Sequence, residues 1–233
     1  MRIIKNMKIK ISEEEVLRYQ GYHRKKEEKI NEMVLQITRE EISHGFLLVK
    51  PRGIYSKEIV TEITSTGKVY LKNNYSLDFS SSMIRFLEGV DCLMLGAVTI
   101  GRELEEKVSE LFGQGDYFRA VALDAVGTVS AIYLRDYINS LVCQETRKQN
   151  LQITRVFSPG SHHWDISEQE KIFQIIPAEK IGITLTDSYM MYPQKSLSWL
   201  IGFGKKIAMP FQEQKHSCKI CLADNCQFRK MID

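Results

Sequence analysis

Two stretches of the sequence carry residue types that could do chemistry. Near the C-terminus, "HSCKICLADNCQFRK" separates Cys218 from Cys221 by two residues and adds Cys226 shortly after. Thiolates at this spacing can converge on one ion, so the three cysteines predict a shared zinc ion or iron–sulfur cluster if the protein is kept reduced. A closed site needs a fourth ligand, and His216 is the nearest candidate. Cys92 and Cys143 lie in apolar segments and read as buried packing residues. Free thiols on an unstructured tail are the bland alternative.

The second stretch is "ITRVFSPGSHHWDIS", residues 153–167. Proline fixes φ and glycine permits φ above zero, so Pro159–Gly160 makes a tight turn with accessible backbone groups. The strand-like run before it brings Arg155 and Ser158 to the mouth of that turn, and His162, His163 and Trp164 follow. Further on, "GITLTDSYMMYPQKSLSWLIGFG" offers a polar pair at Asp187–Ser188 and an aromatic–proline step at Tyr192–Pro193. A tyrosine there has a flat apolar face and a hydroxyl at its edge, which suits stacking and orienting a small ligand. A surface connection and a core aromatic at a strand entrance are the structural alternatives. No glycine-rich phosphate loop, nucleophile elbow or His-Glu-x-x-His motif occurs.

The elements that must hold these residues follow from periodicity. Ser12 and Glu15 have capping-box spacing and predict a short helix through Tyr19. Apolar residues from Ile30 to Ile42 predict an amphipathic helix over about 24–44, stopped at Gly45. Residues 46–79 are rich in β-branched and aromatic side chains and read as a strand meander, followed by a short helix ended by Gly89. "DCLMLGAVTI" reads as a strand buried on both faces. "RELEEKVSELFG" is a helix with Leu104, Val108 and Leu111 on one side. The long, small-residue-rich "DYFRAVALDAVGTVSAIYLRDYINSLV" predicts a central core helix. "LQITRVFS", "SEQEKIFQII" and "LSWLIGFGKKIAM" read as strand, helix and strand. Strands, then helices, then strands predict an α+β fold: one domain over 1–210 with a mainly antiparallel sheet and a long central helix, and a cysteine-rich tail over 211–233.

The chain has 233 residues, 43% apolar and 26% charged, with a formal charge of +3. The balance fits a globular domain with a sizeable core and predicts no nucleic-acid partner, because its basic residues do not cluster with aromatics. The N-terminus has no signal-peptide pattern, and "CLMLGAVTI" is half the about 18 residues a membrane helix needs. The expectation is a cytoplasmic protein without a membrane partner.

Taken together, "RYQGY" at 18–22, "FSPG" at 157–160, Trp164, "LTDS" at 185–188, "MYPQKSLS" at 191–198 and the terminal Cys-x-x-Cys resemble the activation domain of cobalamin-dependent methionine synthase, in a stand-alone form. Smaller clostridial-type relatives carry a turn like "RYSPGY-x-x-W", a "M-x-P-x-KS-V-S" step, an N-terminal "YLGY" and clustered cysteines. The resemblance implies an activation-domain fold that binds S-adenosylmethionine, a small-molecule methyl donor, through Arg155, Ser158, Pro159 and Gly160, with Asp187 and Tyr192 beside them. It also implies a partner, a corrinoid protein or methionine synthase, that carries the cobalamin. An iron–sulfur cluster in the tail would suit electron delivery to that corrinoid. A non-catalytic adaptor and a small redox carrier are the alternatives, and enzyme status stays open. This chain departs from the pattern at three places. Aligned on Pro159–Gly160, the family's arginine falls on Val156; Ser161 stands where a tyrosine follows the glycine; and the core helix has no acidic residue near Ile132.

Overall fold

A computed structural model describes residues 1–5, 7–22, 30–161 and 164–211. The elements in chain order are β1 (Arg2–Lys5), α1 (Glu13–Tyr19), α2 (Glu32–Leu48), β2 (Arg52–Ile63), β3 (Lys68–Leu71), β4 (Ser76–Asp78), α3 (Ser81–Ile84), β5 (Cys92–Thr99), α4 (Glu103–Gly113), α5 (Tyr117–Lys148), β6 (Gln152–Ile153), α6 (Glu168–Ile175), a 3-10 turn at Ala178–Ile181, β7 (Thr184–Leu185), β8 (Met191–Tyr192) and β9 (Ser196–Gly204). The expected α+β architecture holds, with a mainly antiparallel sheet and a long central helix.

The main sheet runs β4-β3-β2-β5-β9-β6, with β1 added to β2. Every pairing is antiparallel. β2 serves two partners along one edge: Arg52–Tyr55 pair with β1, and Val60–Ile63 pair with β3, with a register shift between Val60 and Glu62. Such a shift bends a strand and raises its local twist.

β5 lies at the centre, and its side chains alternate between two cores. Met94 and Val98 join Leu104, Leu123, Val126, Leu134 and Trp199 on the side covered by α4 and α5. Leu93, Leu95 and Ala97 join Ile54, Leu77, Phe157, Trp164, Ile172 and Leu200 on the side covered by β3, β4 and α6. The uninterrupted apolar run is thus explained by cover on both faces, although the sheet is antiparallel, where one wet face is common.

α5 spans 32 residues. Its Tyr117–Thr146 part is long and apolar enough to cross a membrane by length and composition, but 56% of its most apolar 18-residue window is buried. It is the core helix of a two-sided fold. Ser12 caps α1, its hydroxyl accepting from the Glu15 N–H at 3.4 Å, as the capping-box spacing predicts.

Four expectations need correction. Within the described residues the second helix starts at Glu32 behind an Asn31 cap, so Ile30 and Asn31 lie before it; the expected stretch at 24–29 lies outside the described residues. It also runs through Gly45 to Leu48, so Phe46–Leu48 are helical and the following strand begins only at Arg52. Gly45 is a contact, not a stop: a methyl group there would lie 2.4 Å from Val126 Cγ1 on α5. "LQITRVFS" supplies a two-residue strand and then an isolated bridge from Phe157 to Leu200. Cys92 and Cys143 are half-buried and not fully enclosed; burial also pushes the Cys92 thiol above its ordinary value.

Candidate functional site

The chain from Gln152 onward follows the free edge of β9 and then leaves it. Thr154 holds Gly202 twice, its N–H donating to the Gly202 carbonyl and its side-chain hydroxyl accepting from the Gly202 N–H, each at 2.9 Å. Phe157 and Leu200 then exchange both backbone bonds. Because the pairing is antiparallel, the segment after Phe157 heads toward the start of β9. The Tyr192–Pro193 step, whose peptide bond is cis, feeds β9 from that same end. The turn and the step, more than thirty residues apart in sequence, therefore both lie toward the end at which β9 begins.

The turn itself is closed by local bonds. Ser161 donates its N–H (3.1 Å) and its hydroxyl (2.6 Å) to the Ser158 carbonyl, and the Gly160 N–H donates to the Trp164 carbonyl at 2.9 Å. Gly160 has φ +79°, and a side chain there would also press on Ile166 Cδ1 at 3.0 Å, so glycine is required on two counts. Pro159 is buried, while the Ser158 hydroxyl forms no hydrogen bond to a described residue.

Trp164 anchors the far side of the turn. It is buried, stacks on Phe79 at 4.8 Å between ring centroids, and donates its indole N–H to the Asp78 carbonyl at 2.9 Å. The start of α6 is tied to the same strand end: Glu168 Oε2 accepts from the Asp78 N–H at 2.8 Å, and Lys171 bridges Asp78 and Glu168 at 2.5 Å each. Burial works against the Lys171 charge, but its two carboxylate partners outweigh it and hold the ammonium above its ordinary value. A raised folded-state value means that this contribution is complete below the unfolded value of about 10.5 and is lost as pH rises through the folded one. The melting temperature of the wild type should therefore fall more steeply above about pH 10.5 than that of Lys171→Met. Parallel alkaline profiles would remove the bridge from the account.

Arg155 lies with its guanidinium 4.1 Å from the Phe86 ring centre and 5.2 Å from that of Phe157, on the β4/α6 side of the sheet. Val156 points the other way and packs against the core under α5. Two consecutive side chains thus take opposite faces, as strand geometry requires. Asp187 is exposed at the tip of the β7–β8 hairpin, where Thr186 and Met190 close the loop; among the described residues no hydrogen bond or ion pair joins Asp187 to the turn. Tyr192 is 47% exposed. On α5, the acidic groups flanking Ile132 are paired: Asp124 with Lys195 at 2.8 Å, and Asp136 with Arg135 at 2.8 Å.

Sequence reasoning singled out the step at Tyr192–Pro193 but not Lys195, two residues on. Its ammonium bonds Asp124 and the Thr128 hydroxyl (2.9 Å), and its N–H donates to Glu105 Oε1 at 2.6 Å. Lys195 pins the entrance of β9 to α4 and α5 at once. Gln169 was also missed. A cavity of about 200 Å³ opens elsewhere, lined by Gln20, Tyr22, Tyr117, Phe118 and Val121. Residues of the "RYQGY" stretch thus line this cavity, and none of the turn residues does. His162, His163, His216, Cys218, Cys221 and Cys226 lie outside the described residues. Among the described residues no three His, Cys, Asp or Glu side chains gather to hold a metal.

A two-core α+β domain with a bent antiparallel sheet, a 32-residue helix across one face and a Pro–Gly turn beside the last long strand has a solved counterpart. The fold is similar to the MetH reactivation domain bound to AdoHcy, with a TM-score of 0.64 over 92% of this chain and 80% of that one, at 14% identity. Residues 72–216 match the family model of the vitamin B12-dependent methionine synthase activation domain, and the chain belongs to that family. No curated protein matches the chain.

Proposed function

We propose that this domain binds S-adenosylmethionine where the Ser158–Gly160 turn meets the Tyr192–Pro193 step, and that it presents the methyl donor to a corrinoid carried by a partner protein. The family match supports the reading, since residues 72–216 include both segments. The observation that carries it is their convergence at one end of β9. AdoHcy, found on the structural neighbour, is what S-adenosylmethionine becomes on losing its methyl group. Reduced cobalamin on the partner supplies the nucleophile: its metal takes the methyl carbon, and the carbon–sulfur pair stays on sulfur. The exposed Tyr192 ring suits the adenine, the Ser158 hydroxyl and turn backbone suit the polar tail, and Asp187 suits the ammonium. Arg155 would meet the carboxylate only by leaving the Phe86 ring.

That last condition favours a second reading, a non-catalytic adaptor on a corrinoid protein. Calorimetric titration with S-adenosylmethionine separates the two. Weak but saturable binding is expected, because a missing charge-assisted contact costs roughly 1.5–3 kcal/mol. Arg155→Ala should weaken it further if Arg155 takes part. No heat and no thermal shift at a ligand excess would leave the adaptor.

The same reading makes residues 1–210 the folding unit and 211–233 an appended tail. Cys218, Cys221 and Cys226 are assigned to one zinc ion or iron–sulfur cluster, on their spacing alone. Protein purified without oxygen should contain one equivalent of zinc or cluster iron, and a chelator should change the tail without lowering the melting temperature of the core. Neither metal in stoichiometric amount would refute the assignment.

A further inference from the structure

Between α6 and β9 the β4/α6-side core contains a polar seam in otherwise hydrocarbon surroundings. Gln169, Ser196 and Ser198 are 1%, 4% and 3% exposed. The Ser198 hydroxyl donates to Gln169 Oε1 at 2.8 Å. Gln169 Nε2 and the Ser196 hydroxyl have no hydrogen-bond partner among the described residues. Unpaired buried polar groups are rare in folded proteins, so two at one seam leave a bond to be accounted for.

The geometry supplies that bond. Ser196 and Ser198 are two apart on β9, so their side chains share a face and stand roughly 6.6 Å apart along the strand. A carboxamide separates its oxygen and nitrogen by about 2.2 Å, and two hydrogen bonds of about 2.9 Å complete the span. One glutamine can therefore bridge both hydroxyls, accepting from Ser198 and donating to Ser196. Gln169 sits where such a clamp would matter. It is the second residue of α6, which follows the Ser158–Trp164 turn, and β9 follows the Tyr192–Pro193 step. The other polar ties of this region, through Trp164, Glu168 and Lys171, hold it to β4. Hydrocarbon contacts let α6 slide on β9; directional bonds in a low-dielectric core fix it.

We propose that Gln169 is a positioning residue with two settings: bonded to Ser198 alone when the turn is empty, and bridging Ser198 and Ser196 when the turn is drawn toward the step by ligand. The proposal rests on the reading that the turn binds S-adenosylmethionine. It makes the two serines unequal. Ser198→Ala breaks a bond present without ligand and should lower the melting temperature of the free protein. Ser196→Ala removes a hydroxyl that bonds nothing there, so the free protein should melt at or above the wild-type temperature, yet bind S-adenosylmethionine roughly five- to tenfold more weakly, the worth of one net hydrogen bond. Threonine at 196 keeps a hydroxyl and should restore affinity. The test is calorimetric titration and thermal melting of wild type, Ser196→Ala, Ser196→Thr and Ser198→Ala. If wild type and Ser196→Ala bind equally well, or if Ser196→Ala melts lower or fails to fold, the two-setting clamp is wrong while the functional reading stands. If wild type does not bind at all, the functional reading fails and takes the clamp with it.

Discussion

Gly96→Val should severely destabilise the fold. Gly96 lies at the middle of β5 directly opposite Trp199 on β9, and the indole covers the space where a side chain would be. A methyl group at position 96 would lie 2.6, 2.8 and 2.9 Å from three atoms of the Trp199 six-membered ring side. The ring has nowhere to go. Trp199 is completely buried, and its indole N–H donates to Asn139 Oδ1 on α5 at 2.6 Å. Moving it breaks that bond and strands a buried amide. Overpacking costs about 1–3 kcal/mol and an unsatisfied buried polar group about as much again, so a loss of about 3 kcal/mol or more is expected. That is a large share of the 5–15 kcal/mol that holds a typical domain together. Circular dichroism melts should show little cooperative unfolding for the valine variant and a clearly lowered transition for Gly96→Ala. Replacing the tryptophan tests the cause. Trp199→Leu vacates the space, so in the Gly96→Ala background it should be much less costly than in wild type. Additive effects of the two substitutions would show that the ring is not what glycine accommodates.

The same contact shows what could and could not be read beforehand. The apolar run from Cys92 to Thr99 and the small-residue run from Ala120 to Ala131 announce a buried strand and a buried helix, because burial on all sides needs no periodicity. Neither says which glycine faces which ring, since Gly96 and Trp199 are brought together by the register of two strands 103 positions apart. Gly45 failed as a helix stop for the same reason. A glycine ends a helix when it turns to solvent, but here its missing side chain is filled by Val126 from another element. In the 46–51 segment the apolar content suggested a strand, whereas α2 runs on to Leu48, with Phe46 and Leu47 exposed and only Leu48 packed on the α5-side core.

The candidate site divides along the same line. Pro159–Gly160 and Tyr192–Pro193 are visible because their local geometry depends on their own residue types. Lys195 and Gln169 are invisible because their roles are set by partners, 67 residues away for the Lys195–Thr128 bond and 29 for the Gln169–Ser198 bond. The opposite faces taken by Arg155 and Val156 follow from strand alternation once one of them is placed, but the core on which Val156 packs belongs to distant α5.

Methylation of a corrinoid in trans is the result with the largest functional effect. The sequence holds no Asp-x-His-x-x-Gly motif, and the function proposed above puts the methyl acceptor on a partner protein. A methyl group passes only when donor carbon and metal are held within reacting distance, which docking provides by replacing a chance encounter with a fixed one. The docking face is assigned to the end of β9 where the turn and Tyr192 lie, because a donor bound there is presented outward beside a 47% exposed ring. Mixing the protein with an inactive cob(II)alamin methyltransferase, a low-potential one-electron reductant and S-adenosylmethionine should form methylcobalamin faster than the same mixture without the protein. The acceleration should saturate with protein concentration and require the reductant, since the metal must gain an electron before it can take the methyl group. It should drop with Gly160→Val, which strains a φ of +79° and presses on Ile166, and a circular dichroism melt checks that this variant still folds. Equal rates with and without the protein, for every corrinoid protein of the source organism, would end the reactivation reading even if S-adenosylmethionine binds.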